Sequence, residues 1–471
     1  METLTLDPDR LFPVEPSTRE AARELYETIK DLPIISPHGH INPQLLLDNE
    51  PFPNASELFL RYDHYVFRLL NSAGIDLNEI GVGKVAMTNP REAWRIFCQN
   101  WHLFDGTASG YWLTHEFVTL FNINLEPSAQ SADAIYDQIG ERLSDANFRP
   151  RALFNSFPIA FLATTDDPLD TLEDHEELAK LTSQGELGGR VAPSWRPDVY
   201  VNARKPEFRE RVEALTASVG GAPDNLDDYL RAMRESRRRF ISCGAVSADF
   251  GVAQPAALDL DDTELAGLLK ALVSGAGTSE QADAFEAAML TRFAEMSLED
   301  GLVMTVHPGV FRNHSTSAFN QFGADTGHDI PVATEYTRSL HPLLERYGNE
   351  KDLHLVLFTM DETVYSREIA PLAGYYPSVY IGAPWWFIDS PDLILRFHAS
   401  TTETAGFSRL SGFIDDTRAF LSIPGRHDMN RRLDAAFLAR YVREGRMPLS
   451  SAKFWIRRLT SEQPREIFKL D

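Results

Sequence analysis

The chain has 471 residues, with 45 Lys and Arg against 69 Asp and Glu, a formal net charge of −24, 43% hydrophobic and 11% aromatic residues. That apolar content excludes disorder as the main state and supplies a core for one large α/β barrel with an insertion, or for two or three smaller domains. The acidity argues against nucleic acid as a partner, because phosphate backbones are repelled. No apolar run reaches the ~18 residues that a membrane-spanning helix needs.

Residues 1–15 carry acids and prolines where a signal peptide has a basic end and an apolar stretch, so none is expected there. Cys98 and Cys243 each sit in apolar company and can form at most one disulfide. A reducing, cytoplasmic setting is expected.

In chain order, short apolar and β-branched runs occur at residues 32–36, 158–163, 190–193, 243–247, 302–306, 354–358, 379–381 and 410–414. Several have the continuous apolar character of strands buried on both faces. Helical periodicity fills most of the gaps, for example at 226–240, 263–273, 282–296 and 334–347. Alternation of strand and helix predicts parallel βαβ units, and about eight of them predict a closed (β/α)8 barrel.

One gap is too long for a single crossover. Residues 41–157 carry helical patterns at 56–73, 90–97 and 132–145, and read as a mostly helical insertion seated on the barrel mouth. The expected division is 1–40 for the N-terminal segment and first strand, 41–157 for the insertion or lid, and 158–471 for the rest of the barrel with its C-terminal helices. Stretches 218–223 and 274–279 are loops. The one dense basic run, Arg237-Arg238-Arg239, ends a helical stretch opened by Asp224 and Asn225, where positive charge complements the helix dipole.

In a parallel barrel, chemistry collects where strands end. The first predicted strand ends in His38-Gly39-His40, the second in Thr164-Thr165-Asp166-Asp167, and the third meets Trp195-Arg196. The fourth meets Asp249, the fifth His307 with Arg312 beyond, and the sixth Thr359 and Asp361. The seventh meets Trp385-Trp386, and the eighth Asp415, Asp416 and Arg418. Helix capping explains an Asp at some strand ends but not polar groups at nearly all of them. The pattern points to an enzyme.

His38 and His40 are two apart on a strand end, so both imidazoles point to one side and can bind one divalent ion, with a distant carboxylate such as Asp416 closing the site. By itself H-x-H is a weak signal. Asp63-His64-Tyr65, with Arg68 a turn later, is either a packed helix or a lid carrying acid–base groups onto the mouth. Arg196, between Trp195 and Pro197, sits in a stiff turn and suits a substrate carboxylate. Arg312 and Arg418 are further candidates for that contact, or surface ion pairs. Trp385-Trp386 is core or a wall for a sugar face. No P-loop, G-x-G-x-x-G, nucleophile elbow or C-x-x-C is present, so nucleotide chemistry has little support.

The H-x-H and the late Asp resemble the amidohydrolase superfamily of distorted barrels. Within it, the chain resembles the uronate (glucuronate) isomerase family. The matching pieces are Ser36-Pro37-His38-Gly39-His40, Asp63-His64-Tyr65, Thr164-Thr165-Asp166-Asp167-Pro168 and Pro193-Ser194-Trp195-Arg196-Pro197-Asp198. They continue with His307, Arg312-Asn313, Asp325-Thr326-Gly327, Trp385-Trp386-Phe387, Asp416-Thr417-Arg418-Ala419-Phe420-Leu421-Ser422 and Arg426-His427. The family pattern is departed from at Asp249-Phe250, where Asp-His is frequent, in the segment around His314-Ser315, and at His328.

The resemblance implies one divalent metal, expected to be zinc, on His38, His40 and Asp416, with His307 nearby. It implies acid–base or substrate roles for His64, Tyr65, Arg196, Asp249 and Arg418; beside these, His307 and Asp416 are candidate catalytic groups, and Arg312, Trp385 and Trp386 candidate substrate contacts. The implied reaction is aldose–ketose isomerisation of a hexuronate, D-glucuronate to D-fructuronate and D-galacturonate to D-tagaturonate, through a cis-enediol. For the base that takes the C2 proton, Tyr65 and Asp416 both remain open. A homo-oligomer is expected, with neither nucleic acid nor membrane as partner. The rivals are a metal-dependent hydrolase or decarboxylase on the same barrel, and a catalytically dead sugar-acid binding protein. The hydrolases of that superfamily commonly add a carboxylated Lys or further His ligands, and no strand-end cluster here contains a lysine, which favours the isomerase. A dead homologue is expected to have lost part of the His38, His40 and Asp416 set, which is whole.

Overall fold

A computed structural model describes residues 3–470. Its strands are β1 (Ile34–Ser36), β2 (Ile159–Ala163), β3 (Arg190–Ala192), β4 (Ser247–Phe250), β5 (Val303–Val306), β6 (Val310–Phe311), β7 (Ile330–Pro331), β8 (Leu355–Leu357) and β9 (Val379–Ile381). β1-β2-β3 and β4-β5-β8-β9 are each all-parallel. Trp195 joins the two groups through parallel bridges to Asp166 and to Ala248. Leu410 adds an eighth position beside Ile381, and the His40 N–H donates to the Thr417 carbonyl at 3.2 Å. Parallel neighbours in chain order, closed in this way, make a distorted (β/α)8 barrel.

Burial explains the strands. β4 and β5 are buried at every position, and long helices such as Leu226–Ser242 and Ser279–Asp300 cover their outer side. Between β1 and β2 lie eight α-helices, from Pro43–Asp48 to Pro150–Ser156. Their aromatic core of Trp94, Phe97 and Phe117 is fully buried and continuous with Ile34, Ile159 and Leu162 of the barrel. Each such ring contributes roughly 1.5–3 kcal/mol on burial, so the helices and β1–β2 pack as one body.

Several expectations change. The fourth strand is not 243–247 but Ser247–Phe250, because the preceding helix runs to Ser242 and ends in a turn with Gly244 at φ 91°. Asp249 therefore lies inside a strand. The helix expected over 334–347 is only His341–Tyr347; the amides of Tyr336 and Thr337 donate instead to the buried Glu368 carboxylate. The stretch 56–73 breaks into Ala55–Phe59 and His64–Ser72, since the Asp63 side chain caps the second helix at the Tyr65 amide. Of 410–414, only Leu410 pairs in the barrel. Gly412 follows at φ 85°, where an added Cβ would meet Pro464 at 2.8 Å. Arg237 does not serve a helix end in water: it is fully buried, bonded to Asp300 and Ser297 and stacked over Trp195. The antiparallel β6–β7 pair, absent from the sequence reading, carries the loop with Arg312 and Asp325. Cys98 and Cys243 are free thiols. Among the described residues, no helix is long and apolar enough to cross a membrane.

Candidate active site

His38 and His40 leave the end of β1, and Asp416 comes from the loop at the eighth position. The Nε2 atoms of His38 and His40 lie 3.2 and 3.0 Å from Asp416 Oδ1. That oxygen is buried and lacks a regular hydrogen-bond partner among the described residues. Two imidazole nitrogens converging on an orphaned carboxylate oxygen fit a divalent metal ion. The other Asp416 oxygen accepts from the Trp385 indole N–H. Asp416 itself is held at φ 42°, a left-handed conformation that a non-glycine residue seldom adopts. A cavity of about 500 Å³ opens against His40 and Arg418.

A second group shares His38. Asp249 Oδ1 is 2.6 Å from His307 Nδ1 and accepts from the Thr305 hydroxyl at 3.0 Å, while Oδ2 is 3.2 Å from an Arg196 Nη1 and 4.0 Å from His38 Nδ1. His307 stacks between His38 and Phe358, with ring centroids 4.3 and 4.1 Å away. Arg196 is gripped from its other edge by Asp198, which takes its Nε–H at 2.8 Å and the Gly251 amide at 2.9 Å. Only glycine fits that approach, because a Cβ on Gly251 would lie 2.4 Å from Arg196 Nη2 and 2.6 Å from Asp198 Oδ2. Gly251→Ala should therefore displace Arg196 and lower kcat/KM for the substrate by about 10- to 100-fold, with its unfolding midpoint within a few degrees of wild type. Wild-type kinetics in a folded Gly251→Ala protein would remove Arg196 from the working site.

The helix His64–Ser72 brings the insertion to the same place. His64 packs edge-on against Trp386 and stacks on Tyr65. The Tyr65 hydroxyl donates to Asp389 at 2.8 Å and accepts from the Phe387 amide at 3.0 Å. Trp385 and Trp386 thus link the two sides: one indole holds Asp416, the other meets His64. Trp386 Nε1 is buried and unpaired among the described residues. Arg312 lies over the Trp386 ring and pairs with Asp329 at 2.9 Å, and Arg418 pairs with Asp325 at 3.3 Å. Both arginines are about two-fifths exposed, at 44% and 36% of their side chains. Asp361, by contrast, caps its own turn at the Thr363 amide.

The charge states follow from the surroundings. Burial would raise the Asp416 carboxyl, but His40 and His38 outweigh it and hold Asp416 well below the usual carboxylate range, so it is ionised. Asp249 behaves alike, with His307 and Arg196 overcoming burial. Burial lowers His40 to about 4 and His64 to about 3, so both rings are neutral at pH 7. Burial, and then the Asp389 charge, push the Tyr65 phenol well above its usual 10.

A glucuronate isomerase family model matches residues 16–462. The chain is 50% identical over 464 residues to the uronate isomerase of Corynebacterium efficiens, covering 98% of each, and 48% identical over 470 residues to that of Cutibacterium acnes, covering 99% of each. The crystal structure of glucuronate isomerase from Caulobacter crescentus superposes with a TM-score of 0.97 at 47% identity, over 100% of this chain and 98% of that one. That of uronate isomerase from Thermotoga maritima gives 0.91 at 27% identity, over 98% and 99%. The chain belongs to the glucuronate isomerase family.

The departures from the family pattern lie in β4, next to Asp249, and in the loop between β6 and β7 that also carries Arg312 and Asp325. Phe250 is buried outward against Phe293, at a centroid distance of 4.9 Å. His314 and His328 belong to the loop between β6 and β7, where His328 Nε2 faces the Gly323 carbonyl at 3.2 Å. Sequence reading did not assign roles to Asp198, Asp325, Asp389 or Arg426. Asp389 stands before Ser390-Pro391 at a helix start, where an acid reads as a cap, and that masks its bond to Tyr65.

Proposed function

We propose that the chain interconverts D-glucuronate with D-fructuronate and D-galacturonate with D-tagaturonate, moving a proton from C2 to C1 through a cis-enediol. The observation that carries this reading is the buried Asp416 carboxylate at the barrel mouth, linked through Trp385-Trp386 to His64 and Tyr65 of the insertion. Asp416 is the base. A carboxylate can take a proton at neutral pH, whereas a phenol raised above 10 stays protonated and serves better as a hydrogen-bonding group or acid. The neutral His64, with Nε2 buried and unpaired among the described residues, has a free site for a sugar oxygen. Arg196, fixed between Asp198 and Asp249, and Arg418, held by one carboxylate, supply the positive charge that a uronate needs in so acidic a protein. His307 stacks on His38, and Arg312 lies over the Trp386 ring that meets His64. The insertion acts as the lid.

A divalent ion, zinc being suited to two imidazoles and a carboxylate, would be held by His38, His40 and Asp416 and would supply Lewis acidity toward the sugar. The test is direct. Purified protein is incubated with each uronate and the ketose signals are followed by NMR. Both ketoses are expected, and no ketose from either uronate overturns the reading.

A further inference from the structure

Behind Tyr65 lies a polar chain that belongs to neither ligand group. Asp389 follows β9 and is 7% exposed; one of its oxygens accepts from the Tyr65 hydroxyl at 2.8 Å and the other from an Arg426 Nη1 at 3.2 Å. Arg426 is 2% exposed and fixed on every side. Its Nε donates to the Ser422 hydroxyl at 3.0 Å, its Nη1 also reaches the Asp415 carbonyl at 3.3 Å, and its guanidinium lies 3.6 Å over the Trp112 ring. The Asp389 carboxylate therefore cannot turn without losing a buried cation.

The phenol is constrained from its other side too. The Phe387 amide that donates to it belongs to a residue at φ 69°. A bulky residue in the left-handed region is strained and persists only where its surroundings over-determine it. A buried ion pair adds little net stability over apolar residues of the same volume. Neither the strain nor the pair is accounted for by fold stability. Both fix one atom, the Tyr65 oxygen.

We propose that Asp389 and Arg426 are positioning residues, which hold the Tyr65 hydroxyl in a single orientation for the isomerisation. The proposal rests on the reaction assigned above. It places no substrate contact on either residue: Asp389 acts through Tyr65, and Arg426 acts through Asp389.

The test is a cycle of variants on the full chain with its metal, assayed with D-glucuronate. Asp389→Ala should lower kcat about 10- to 100-fold, the loss expected of a misplaced catalytic group, with KM changed less than about threefold. In a Tyr65→Phe background the same change should cost less than about twofold, because the hydroxyl it orients is gone. Asp389→Asn, which keeps an oxygen to accept the hydrogen bond from the phenol, should recover at least about threefold of the loss. A purely structural role would lower activity equally in both backgrounds and give no recovery with Asn. Equal losses in the two backgrounds, or an Asp389→Ala kcat within about twofold of wild type, overturn the proposal. If Asp389→Ala does not fold, Asp389→Asn and Arg426→Lys are placed in the same cycle, where coupling to Tyr65 supports the proposal and additivity overturns it. Wild-type protein that isomerises no uronate would instead overturn the reaction itself.

Discussion

Asp416→Asn protein should lose about 1,000-fold in kcat with D-glucuronate, and in deuterated water it should no longer exchange the C2 hydrogen. Asp416 stays ionised although buried, because His40 and His38 stand against one of its oxygens. Asparagine keeps the shape, one oxygen and the contact to the Trp385 indole, but it cannot take a proton. Folding, judged by the thermal midpoint, should therefore change little. Bound metal is measured in parallel, so that loss of the ion is not mistaken for loss of the base. C2 exchange at the wild-type rate in Asp416→Asn would move the base elsewhere, with Tyr65 the first alternative despite its raised pKa.

His38→Ala with His40→Ala should abolish stoichiometric metal binding and bring turnover close to background. Each imidazole supplies one nitrogen, and a lone Asp416 carboxylate cannot retain a divalent ion against water. The single variant His40→Ala separates the two arrangements that share His38. If the ion sits on His38, His40 and Asp416, His40→Ala loses it; if it sits on His38, Asp249 and His307, metal content is unchanged. The first arrangement is favoured, because His307, Thr305 and Arg196 already occupy Asp249. Full metal content in the double variant would remove the assignment.

The sequence determined what depends on short range. Apolar runs of strand length, separated by helical periodicity, are legible because burial on both faces and burial on one stripe impose different local patterns. His38 and His40 share a direction because strand side chains repeat every two residues, whatever the fold around them. Arg196 before Pro197, and Asp63 ahead of His64, carry their local conformation in their immediate neighbours. The polar strand ends marked the face where chemistry collects.

Other features lie beyond that range. The fourth strand starts at Ser247 because a helix overruns Cys243 and turns at Gly244, a boundary set by packing rather than by apolar content. Arg237 could be placed in solvent or in the core by the same helical pattern, and only Asp300 on a neighbouring helix decides for the core. Tyr65 and Asp389 are 324 positions apart, and Arg426 is a further 37 from Asp389. No local periodicity brings such groups together. The closed barrel does, by setting the loop after β9 and the helix Ile423–Arg443 side by side beneath the insertion helix, where a phenol, a carboxylate and a guanidinium must satisfy one another because water is excluded.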